Sequence, residues 1–251
     1  MTDIDASSAE LVLRHDRDGV ATLTLNRPDK RNALNVDLFR ALDGHIRDIE
    51  QATDTVGLVV LRANGPVFSA GADLGKQQKP PVRHFQAKTI ARLAALPQPV
   101  VAAVHGPCFT GGLELVLAAD IILAAESARF ADTHSQWALV PGWGMTARLP
   151  RRVGQAKARE MMFTARQYDG RQAEAMGLAS LCVADDAFED ALAALCRDIV
   201  AQSWHSHRGN KALLNASEGM SRDQALAHEI FASPGVGPDF ADRVKGRFGG
   251  R

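Results

Sequence analysis

The sequence lacks the features that mark several special classes of protein. Its formal net charge is zero over 251 residues, which gives no reason to expect nucleic acid or an anionic membrane surface as a partner. No apolar run reaches the roughly 18 residues that a membrane-spanning helix needs. The three cysteines show no CxxC spacing, so neither a disulfide framework nor a bound metal is predicted.

The beginning of the chain and its composition predict a cytoplasmic globular protein. Residues 1–5 (MTDID) are acidic and lack the basic and apolar segments of a signal peptide. Hydrophobic residues make up 46% and charged residues 23%, a balance typical of globular proteins in water. A chain of this length can bury a complete core.

Hydrophobic periodicity predicts an α/β fold. Short apolar runs such as residues 100–104 suit strands buried on both faces, and the order strand, loop, helix recurs along the chain. The predicted elements are two strands within 10–26, a helix over 36–50, a strand at 57–61, a helix over 86–96, a strand at 100–104, a helix over 111–119, a strand at 120–124 and a short strand near 178–183. Beyond about residue 154 the pattern is mostly helical. We predict a core over residues 1–185 and a helical part over residues 186–251.

Two glycine-bearing segments follow apolar strands and lead toward helices. They are residues 65–74 (GPVFSAGADL) and residues 105–114 (HGPCFTGGLE). Glycine lets a ligand come close to the backbone, and the first N–H groups of a helix have no partners inside the helix. Such N–H groups can be aimed at a developing negative charge. Two of these junctions in one chain predict an oxyanion hole.

Glu114 lies three residues after Gly111, so both face the same side of the first helical turn. A carboxylate beside an oxyanion hole can move a proton next to a carbonyl whose enolate is being stabilised. The alternative is structural, because glutamate is favoured in the first turn of any helix. Asp73 could likewise simply cap a helix after the turn at Gly71. Position alone does not decide between these interpretations.

Four segments, in order along the chain, resemble the crotonase (enoyl-CoA hydratase/isomerase) superfamily. They are residues 25–34 (LNRPDKRNAL), 68–74 (FSAGADL), 111–121 (GGLELVLAADI) and 141–149 (PGWGMTARL). The resemblance covers nearly the whole chain, and the order of the four segments makes it specific. It implies a crotonase-type spiral of ββα turns with a helical C-terminal trimerisation region, assembled as a homotrimer or a dimer of trimers.

The same resemblance implies an acyl-CoA substrate and gives roles to individual residues. The backbone N–H groups of Ala72 and Gly111 would hold the thioester oxygen, and Glu114 would be the first catalytic carboxylate. Coenzyme A would enter only as part of the substrate, so no separate cofactor is implied. The residues implied in binding the substrate and coenzyme A are Arg27, Lys30, Arg31, Ala33, Leu34, Ala70, Asp73 and Leu74.

The chain departs from the family pattern where hydratases typically carry a second glutamate. Counting back from Pro141, His134 occupies that position. An imidazole can accept and release a proton near neutral pH, which makes His134 the second candidate catalytic residue. If the segment is extended, Asp132 points to the same side and could orient the ring. The alternative is a hydrogen-bonded histidine in the pocket wall that takes no part in catalysis.

These residues favour an enoyl-CoA hydratase-like lyase that stabilises a thioester enolate. Because the second glutamate is missing, the alternatives are an enoyl-CoA isomerase, an acyl-CoA hydrolase, a decarboxylase or a non-catalytic acyl-CoA-binding protein. Residues 142–147 also fit a GxGxxA dinucleotide pattern, but Pro141 interrupts the run before them and no strand completes a βαβ unit. Trp137 and Trp143 flank the expected pocket wall, where tryptophan more often packs than reacts.

Overall fold

Two β-sheets with surrounding helices make up the part of the chain that the structure, a computed structural model, describes: residues 10–75 and 79–248. Residues 1–5, considered above for a signal peptide, lie outside this part. The strands are β1 (Val12–Arg17), β2 (Val20–Leu25), β3 (Leu58–Ala63), β4 (Val100–Val104), β5 (Pro107–Phe109), β6 (Ile121–Ala125), β7 (Arg129–Ala131), β8 (Tyr168–Asp169) and β9 (Leu181–Val183). The α-helices are α1 (Val36–Gln51), α2 (Phe85–Ala95), α3 (Gly111–Val116), α4 (Met145–Thr164), α5 (Gly170–Ala175), α6 (Phe188–Val200), α7 (Trp204–Ser217), α8 (Arg222–Ala232) and α9 (Phe240–Phe248).

The larger sheet has six strands in the order β1-β2-β3-β4-β6-β9, and only β1 and β2 pair antiparallel. A tight hairpin joins these two strands, and its central residues Asp18 and Gly19 have φ values of 51° and 79°. Positive φ at both central residues is what a type I′ turn requires, and Asp-Gly is a favoured pair for it. The smaller sheet has the order β5-β7-β8. Its first strand, β5, directly follows β4 of the larger sheet along the chain.

Both faces of the larger sheet are covered, which explains why its central strands are apolar throughout. Every residue of β4 is buried. Successive side chains of β3 point to opposite faces, so Val59 packs in the main core with α1 whereas Val60 packs against α6. On α1, buried residues such as Leu42 and Ile46 recur at the spacing of a helix face that packs on a sheet.

After β9 the described chain contains only helices. Helix α7 is fixed to the core by Lys211, whose Nζ donates to the Gln98 carbonyl (2.9 Å) and to Asp120 Oδ2 (2.7 Å). Helix α8, by contrast, has no buried residue. Within residues 10–75 and 79–248, no helix is both long and apolar enough to cross a membrane.

The predicted α/β class and the helical C-terminal region are confirmed. The helices predicted over 36–50 and 86–96 and the strand at 100–104 occur within one residue of their expected bounds. The division of the chain at residues 185 and 186 remains a prediction.

Beyond about residue 154 the described chain is mostly helical, as expected, although helix α4 already begins at Met145 and Gly154, with φ 78°, interrupts its helical period. Two other expectations about local structure were wrong. Helix α3 ends at Val116 rather than 119, because the chain turns so that Asp120 can pair with the start of β4. The segment 132–134 is not extended, since β7 ends at Ala131 and a 3-10 helix begins at His134.

Candidate active site

Hydrogen bonds join the loop at residues 68–74 to the turn at residues 26–34. Asn32 is fully buried, and its side-chain amide donates to two carbonyl oxygens at 2.8 and 2.7 Å. Ser69 Oγ donates to the Asn32 carbonyl (2.9 Å) and accepts from the Gly71 N–H (3.2 Å). Buried polar groups that are all bonded in this way make a rigid network. The loop and the turn therefore act as one scaffold.

The N–H of Ala72 points away from this scaffold. Leu34 bonds to both neighbours of Ala72, since its N–H donates to the Gly71 carbonyl (2.8 Å) and its carbonyl accepts from the Asp73 N–H (3.0 Å). In a parallel ladder, a residue flanked by such bonds directs its own N–H to the opposite side. Within the described ranges 10–75 and 79–248, the Ala72 N–H has no protein acceptor.

A second amide, that of Gly111, lies beside the first. The preceding residue, Thr110, has φ 53° and ψ −110°, a costly backbone conformation for a residue with a Cβ. Its N–H donates to the Ala131 carbonyl (2.9 Å), which helps to hold this conformation. A Cβ built on Gly111 would lie 3.2 Å from the Ala72 nitrogen. The two predicted oxyanion-hole residues are thus brought together.

Arg27 and Asp73 form an ion pair within the protein. Arg27 Nη1 lies 3.0 Å from Asp73 Oδ2 and also donates to the Ala33 carbonyl. Burial acts to raise the pKa of Asp73, but the Gly75 N–H and the Arg27 guanidinium outweigh burial and lower the pKa. Arg27 therefore holds the 68–74 loop through a carboxylate that stays ionised at neutral pH.

Glu114 points from α3 into a pocket and is only 1% exposed. Its Oε1 accepts hydrogen bonds from the N–H groups of Trp143 (2.7 Å) and Met145 (3.1 Å), while Oε2 lies 3.7 Å from Nε2 of His134. Burial raises the pKa of Glu114 and outweighs the two amides and His134, which act to lower the pKa. The carboxyl therefore keeps its proton to a higher pH than an exposed glutamate, as a general acid must.

His134 is oriented by Asp132. The Nδ1 atom of His134 lies 2.5 Å from Asp132 Oδ1, and the same oxygen accepts from the His134 backbone N–H (3.1 Å). An ionised carboxylate can only accept, so we assign the hydrogen to Nδ1, which leaves Nε2 as an acceptor facing Glu114. The contact expected from an extended strand is made instead by a turn in which the aspartate bonds two residues ahead.

The turn at residues 142–145 holds Glu114 in place. Gly144 has φ 123°, in the region that favours glycine. A Cβ there would lie 2.2 Å from Nη1 of Arg148, and that nitrogen donates to the Trp143 carbonyl (3.1 Å). Burial lowers the pKa of Arg148, opposed by Glu114 and Glu218. Arg148 therefore bonds to the 142–145 turn, and the amides of this turn bind the carboxylate of Glu114.

These groups line a pocket of about 210 Å³ with a few polar side chains and a largely apolar wall. The lining residues are Ala70, Ala72, Leu74, Thr110, Gly111, Glu114, Thr133, His134, Trp137, Leu139, Val140, Gly142 and Trp143. Both tryptophans named in the sequence analysis lie in this wall. Among the described residues, no group of three or more histidine, cysteine or acidic side chains is arranged to hold a metal ion.

Half of the predicted site residues line the pocket and half do not. Those in the lining are Ala70, Ala72, Leu74, Gly111, Glu114 and His134. Four of the others take part in the bonds that join the 68–74 loop to the turn before it: Arg27, Arg31, Leu34 and Asp73. Ala33 accepts from Arg27 within that turn, and Lys30 is exposed on it, as is the side chain of Arg31.

Sequence reasoning missed four pocket residues and both amides that hold Glu114. Thr110 Oγ1 lies 2.5 Å from Thr133 Oγ1, a contact between loops that no sequence spacing reveals. Leu139 and Val140 directly precede the Pro-Gly landmark, and that proximity was the only available signal for them.

Comparison with known proteins gives consistent matches along the chain. A family model described as enoyl-CoA hydratase/isomerase matches residues 15–233. The 1,2-epoxyphenylacetyl-CoA isomerase of Escherichia coli (strain K12) is 33% identical over 227 residues, covering 86% of each chain. A probable enoyl-CoA hydratase of Rhizobium meliloti (strain 1021) is 34% identical over 236 residues, covering 90% of this chain and 91% of the relative. The solved structure of an enoyl-CoA hydratase from Bacillus anthracis superposes with a TM-score of 0.90 at 29% identity, over 96% of this chain and 97% of that one.

Proposed function

Because the chain belongs to the enoyl-CoA hydratase/isomerase family, we propose that it adds water to the double bond of 2-enoyl-CoA thioesters. The observation that carries the proposal is the pair of facing atoms, Glu114 Oε2 and His134 Nε2, 3.7 Å apart in the pocket. Hydration requires proton transfer at two places, the attacking water and the α-carbon. The pair supplies one group for each place.

In this mechanism the N–H groups of Ala72 and Gly111 bind the thioester oxygen. Nε2 of His134 takes a proton from a water molecule as the water oxygen bonds to the β-carbon. The electrons of the double bond move toward the thioester, and the two amides stabilise the enolate oxygen. The Glu114 carboxyl then gives its proton to the α-carbon. Return of the proton from His134 to Glu114 restores the starting state.

Asp132 has a supporting role in this proposal. Its carboxylate keeps the hydrogen on Nδ1 of His134 and stabilises the imidazolium that forms when Nε2 takes a proton. Lys30 and Arg31 are exposed cations beside the scaffold, where they would meet the phosphates of coenzyme A. Coenzyme A acts here only as part of the substrate, and the mechanism uses no metal and no separate cofactor.

Isomerisation of a 2-enoyl or 3-enoyl thioester is the second candidate function. It is favoured by the description of the matching family, which names enoyl-CoA isomerases beside the hydratases. Moving a proton between two carbons needs only one group that accepts and releases it, which Glu114 alone could do. His134 would then be dispensable, whereas hydration requires it.

We also propose assembly as a homotrimer or a dimer of trimers in the cytoplasm. Helix α8 has no buried residue, and three of its apolar side chains are exposed: Leu226 by 50%, Ile230 by 76% and Phe231 by 89%. Exposed apolar surface of this kind is typical of a subunit interface. Sedimentation of the purified protein would measure the assembly state.

The proposal is tested by identifying the product formed from a 2-enoyl-CoA and by replacing Glu114. The expected product is the 3-hydroxyacyl-CoA, detected by mass as the gain of one water. Glu114→Gln keeps the shape of the side chain but cannot cycle a proton, so kcat is expected to fall about 100- to 10,000-fold. Glu50→Gln, on α1 and away from the pocket, is the matched control and is expected to keep wild-type turnover.

A second measurement is the free energy of unfolding against pH, for the wild type and for Glu114→Gln. It shows whether the variant remains folded and whether Glu114 contributes to stability as expected. Because burial raises the pKa of Glu114 in the folded state, its contribution to stability is complete at pH values below the ordinary glutamate range. That contribution is lost as pH rises through the raised pKa, and the variant is expected to lack this loss.

Wild-type kcat in Glu114→Gln would refute the proposed mechanism. An isomerised or hydrolysed product would assign the alternative reaction, and binding of acyl-CoA without turnover would indicate a non-catalytic protein.

A further inference from the structure

A pair of threonine hydroxyls meets in the pocket wall. Thr110 Oγ1 lies 2.5 Å from Thr133 Oγ1 and also accepts the backbone N–H of Thr133 (3.2 Å). Both residues line the pocket. Along the chain, Thr110 directly precedes Gly111 and Thr133 directly precedes His134. The pair therefore connects the loop that carries an oxyanion-hole amide to the turn that carries the histidine.

Thr110 has a side chain where the backbone favours glycine. Its φ of 53° and ψ of −110° are strained for a β-branched residue, whereas glycine adopts positive φ freely. The residue is only 7% exposed, and its hydroxyl contacts that of Thr133 at the pocket wall. An observed backbone outlier beside reacting groups is a reason to assign the side chain a function.

The two hydroxyls have one hydrogen to spare. Each carries one hydrogen, and their mutual bond uses one of the two, whichever oxygen donates it. Within residues 10–75 and 79–248, the other hydrogen has no protein acceptor. Such a donor costs free energy when a ligand shields it from solvent, unless the ligand or a bound water accepts from it. The pair therefore presents an unused donor to whatever fills the pocket.

An enoyl thioester leaves no good acceptor for this donor. In the proposed mechanism its carbonyl oxygen is bound by the amides of Ala72 and Gly111, and its α- and β-carbons cannot accept a hydrogen bond. Glu114 Oε1 already accepts from the N–H groups of Trp143 and Met145. The oxygen that remains beside the reacting carbons is that of the water to be added.

We propose that Thr110 and Thr133 bind the water molecule that adds to the double bond and orient it toward Nε2 of His134. The spare hydroxyl hydrogen is donated to the water oxygen, and the water donates one of its own hydrogens to Nε2. A lone pair of the water oxygen remains for the β-carbon, and the threonines neither gain nor lose a proton. Holding the water in this geometry accelerates its addition. The inference rests on the proposed hydration and adds to it the groups that position the water.

A double variant, Thr110→Gly with Thr133→Val, removes both hydroxyls. Glycine suits the positive φ of residue 110 and valine keeps the shape of threonine, so the fold is expected to persist. We expect kcat for hydration of crotonyl-CoA to fall about 100-fold, because the water is no longer held. The KM for crotonyl-CoA and the Kd of butyryl-CoA, a saturated analogue that reacts with no water, are expected to stay within about twofold of wild type.

Two further variants serve as rescue and control. Serine at both 110 and 133 keeps both hydroxyls and is expected to restore kcat to within about fivefold of wild type. Thr55→Val removes an exposed hydroxyl between α1 and β3, and it is expected to change neither kcat nor KM.

Wild-type kcat in the double variant would overturn the inference. A lower kcat together with weaker binding of butyryl-CoA would also overturn it, since the contact would then only hold the loop of Gly111 in place. If the double variant does not fold, the two single substitutions replace it. Each leaves one hydroxyl that rotates freely and is expected to lower kcat about 10-fold. Wild-type kcat in both single variants would contradict the inference.

A crystal structure with butyryl-CoA keeps this outcome separate from that of the proposed function. In the wild type we expect an ordered water within about 3.2 Å of a threonine Oγ1 and of His134 Nε2, and in the double variant no such water. If the water is present but no 3-hydroxyacyl-CoA is formed, the proposed reaction fails while the water site stands. If the wild type lacks the water, or the double variant keeps it, the inference fails even where 3-hydroxyacyl-CoA is formed.

Discussion

The wall of the pocket formed by residues 70–72 and 110–112 presents backbone amides, whereas the wall formed by residues 137–143 presents side chains. The first wall is fixed by a hydrogen-bond network that includes fully buried Asn32 and Ser69. The second has exposed apolar side chains and gives only its last amide, that of Trp143, to Glu114. The amide wall is therefore held by buried polar contacts, whereas the side-chain wall is exposed over much of its length.

Among substitutions that compare the two walls, replacement of Gly111 by alanine is expected to have the largest effect, because it changes the amide wall directly. The added Cβ would lie 2.5 Å from the Trp143 ring, which must move, and 3.2 Å from the Ala72 nitrogen, so the spacing of the two amides is expected to change. Loss of one oxyanion-hole donor typically lowers kcat by about 100- to 1,000-fold, and a loss of that size is expected here. Initial rates at saturating substrate measure it.

Gly44→Ala is the matched control for this substitution. Gly44 lies on α1, and a Cβ built there meets no atom within 4 Å. Its turnover is expected to equal that of the wild type. If Gly111→Ala also kept turnover within about threefold of wild type, the backbone wall would not be the site that stabilises charge.

Asp132→Asn tests the histidine that precedes the side-chain wall in the sequence. Asparagine has nearly the same shape, but its amide can donate to Nδ1 of His134 and so favour the wrong tautomer. We expect kcat to fall about 100-fold, with crotonyl-CoA KM changed little, because Asp132 does not line the pocket. The pH profile of kcat/KM is also expected to change, because the variant lacks the carboxylate that contacts the imidazole and would stabilise its charged form.

An exposed carboxylate provides the control for Asp132. Asp54 is exposed between α1 and β3, and Asp54→Asn is expected to leave both the rate and the pH profile unchanged. A wild-type pH profile in Asp132→Asn would mean that the aspartate has only a structural role. Isomerisation through Glu114 alone would then become the better explanation of the site.

Elements with a strong local signal could be predicted from the sequence. Helix α1 has an apolar stripe of the helical period, and β4 is a continuous apolar run, so both lie within one residue of prediction. The glycines at 71 and 111 marked both loops of the amide wall, because glycine is needed where backbones approach closely.

Features that depend on contacts between distant segments could not be predicted. The amides that hold Glu114 come from the turn at residues 142–145, about thirty residues later in the chain. Asp132 was expected to orient His134 from a strand, but it does so from a turn in which the same carboxylate oxygen also accepts from the His134 backbone N–H. The ion pair of Arg27 with Asp73 is also long-range, and no spacing in the sequence indicated it.

Arg148→Met is expected to have the smallest effect, because Arg148 acts on the side-chain wall only through the 142–145 turn. Methionine fills similar space but leaves the Trp143 carbonyl without its donor, so the amides that bind Glu114 Oε1 are held less firmly. We expect kcat to fall about 10-fold with KM unchanged, since Arg148 is not in the pocket lining. Arg148→Lys keeps the charge and one donor and is expected to recover part of the loss.

The split between kcat and KM separates this positioning role from general destabilisation. A protein that is merely less stable has fewer active molecules, and its kcat per folded molecule and its pH profile stay at wild-type values. A loosened turn instead lowers kcat per folded molecule, and it shifts the limb of the pH profile that reports Glu114. If Arg148→Met lowered only the melting temperature, the turn would hold Glu114 without help from Arg148. The side-chain wall would then be closer in rigidity to the amide wall than the contacts of the two walls indicate.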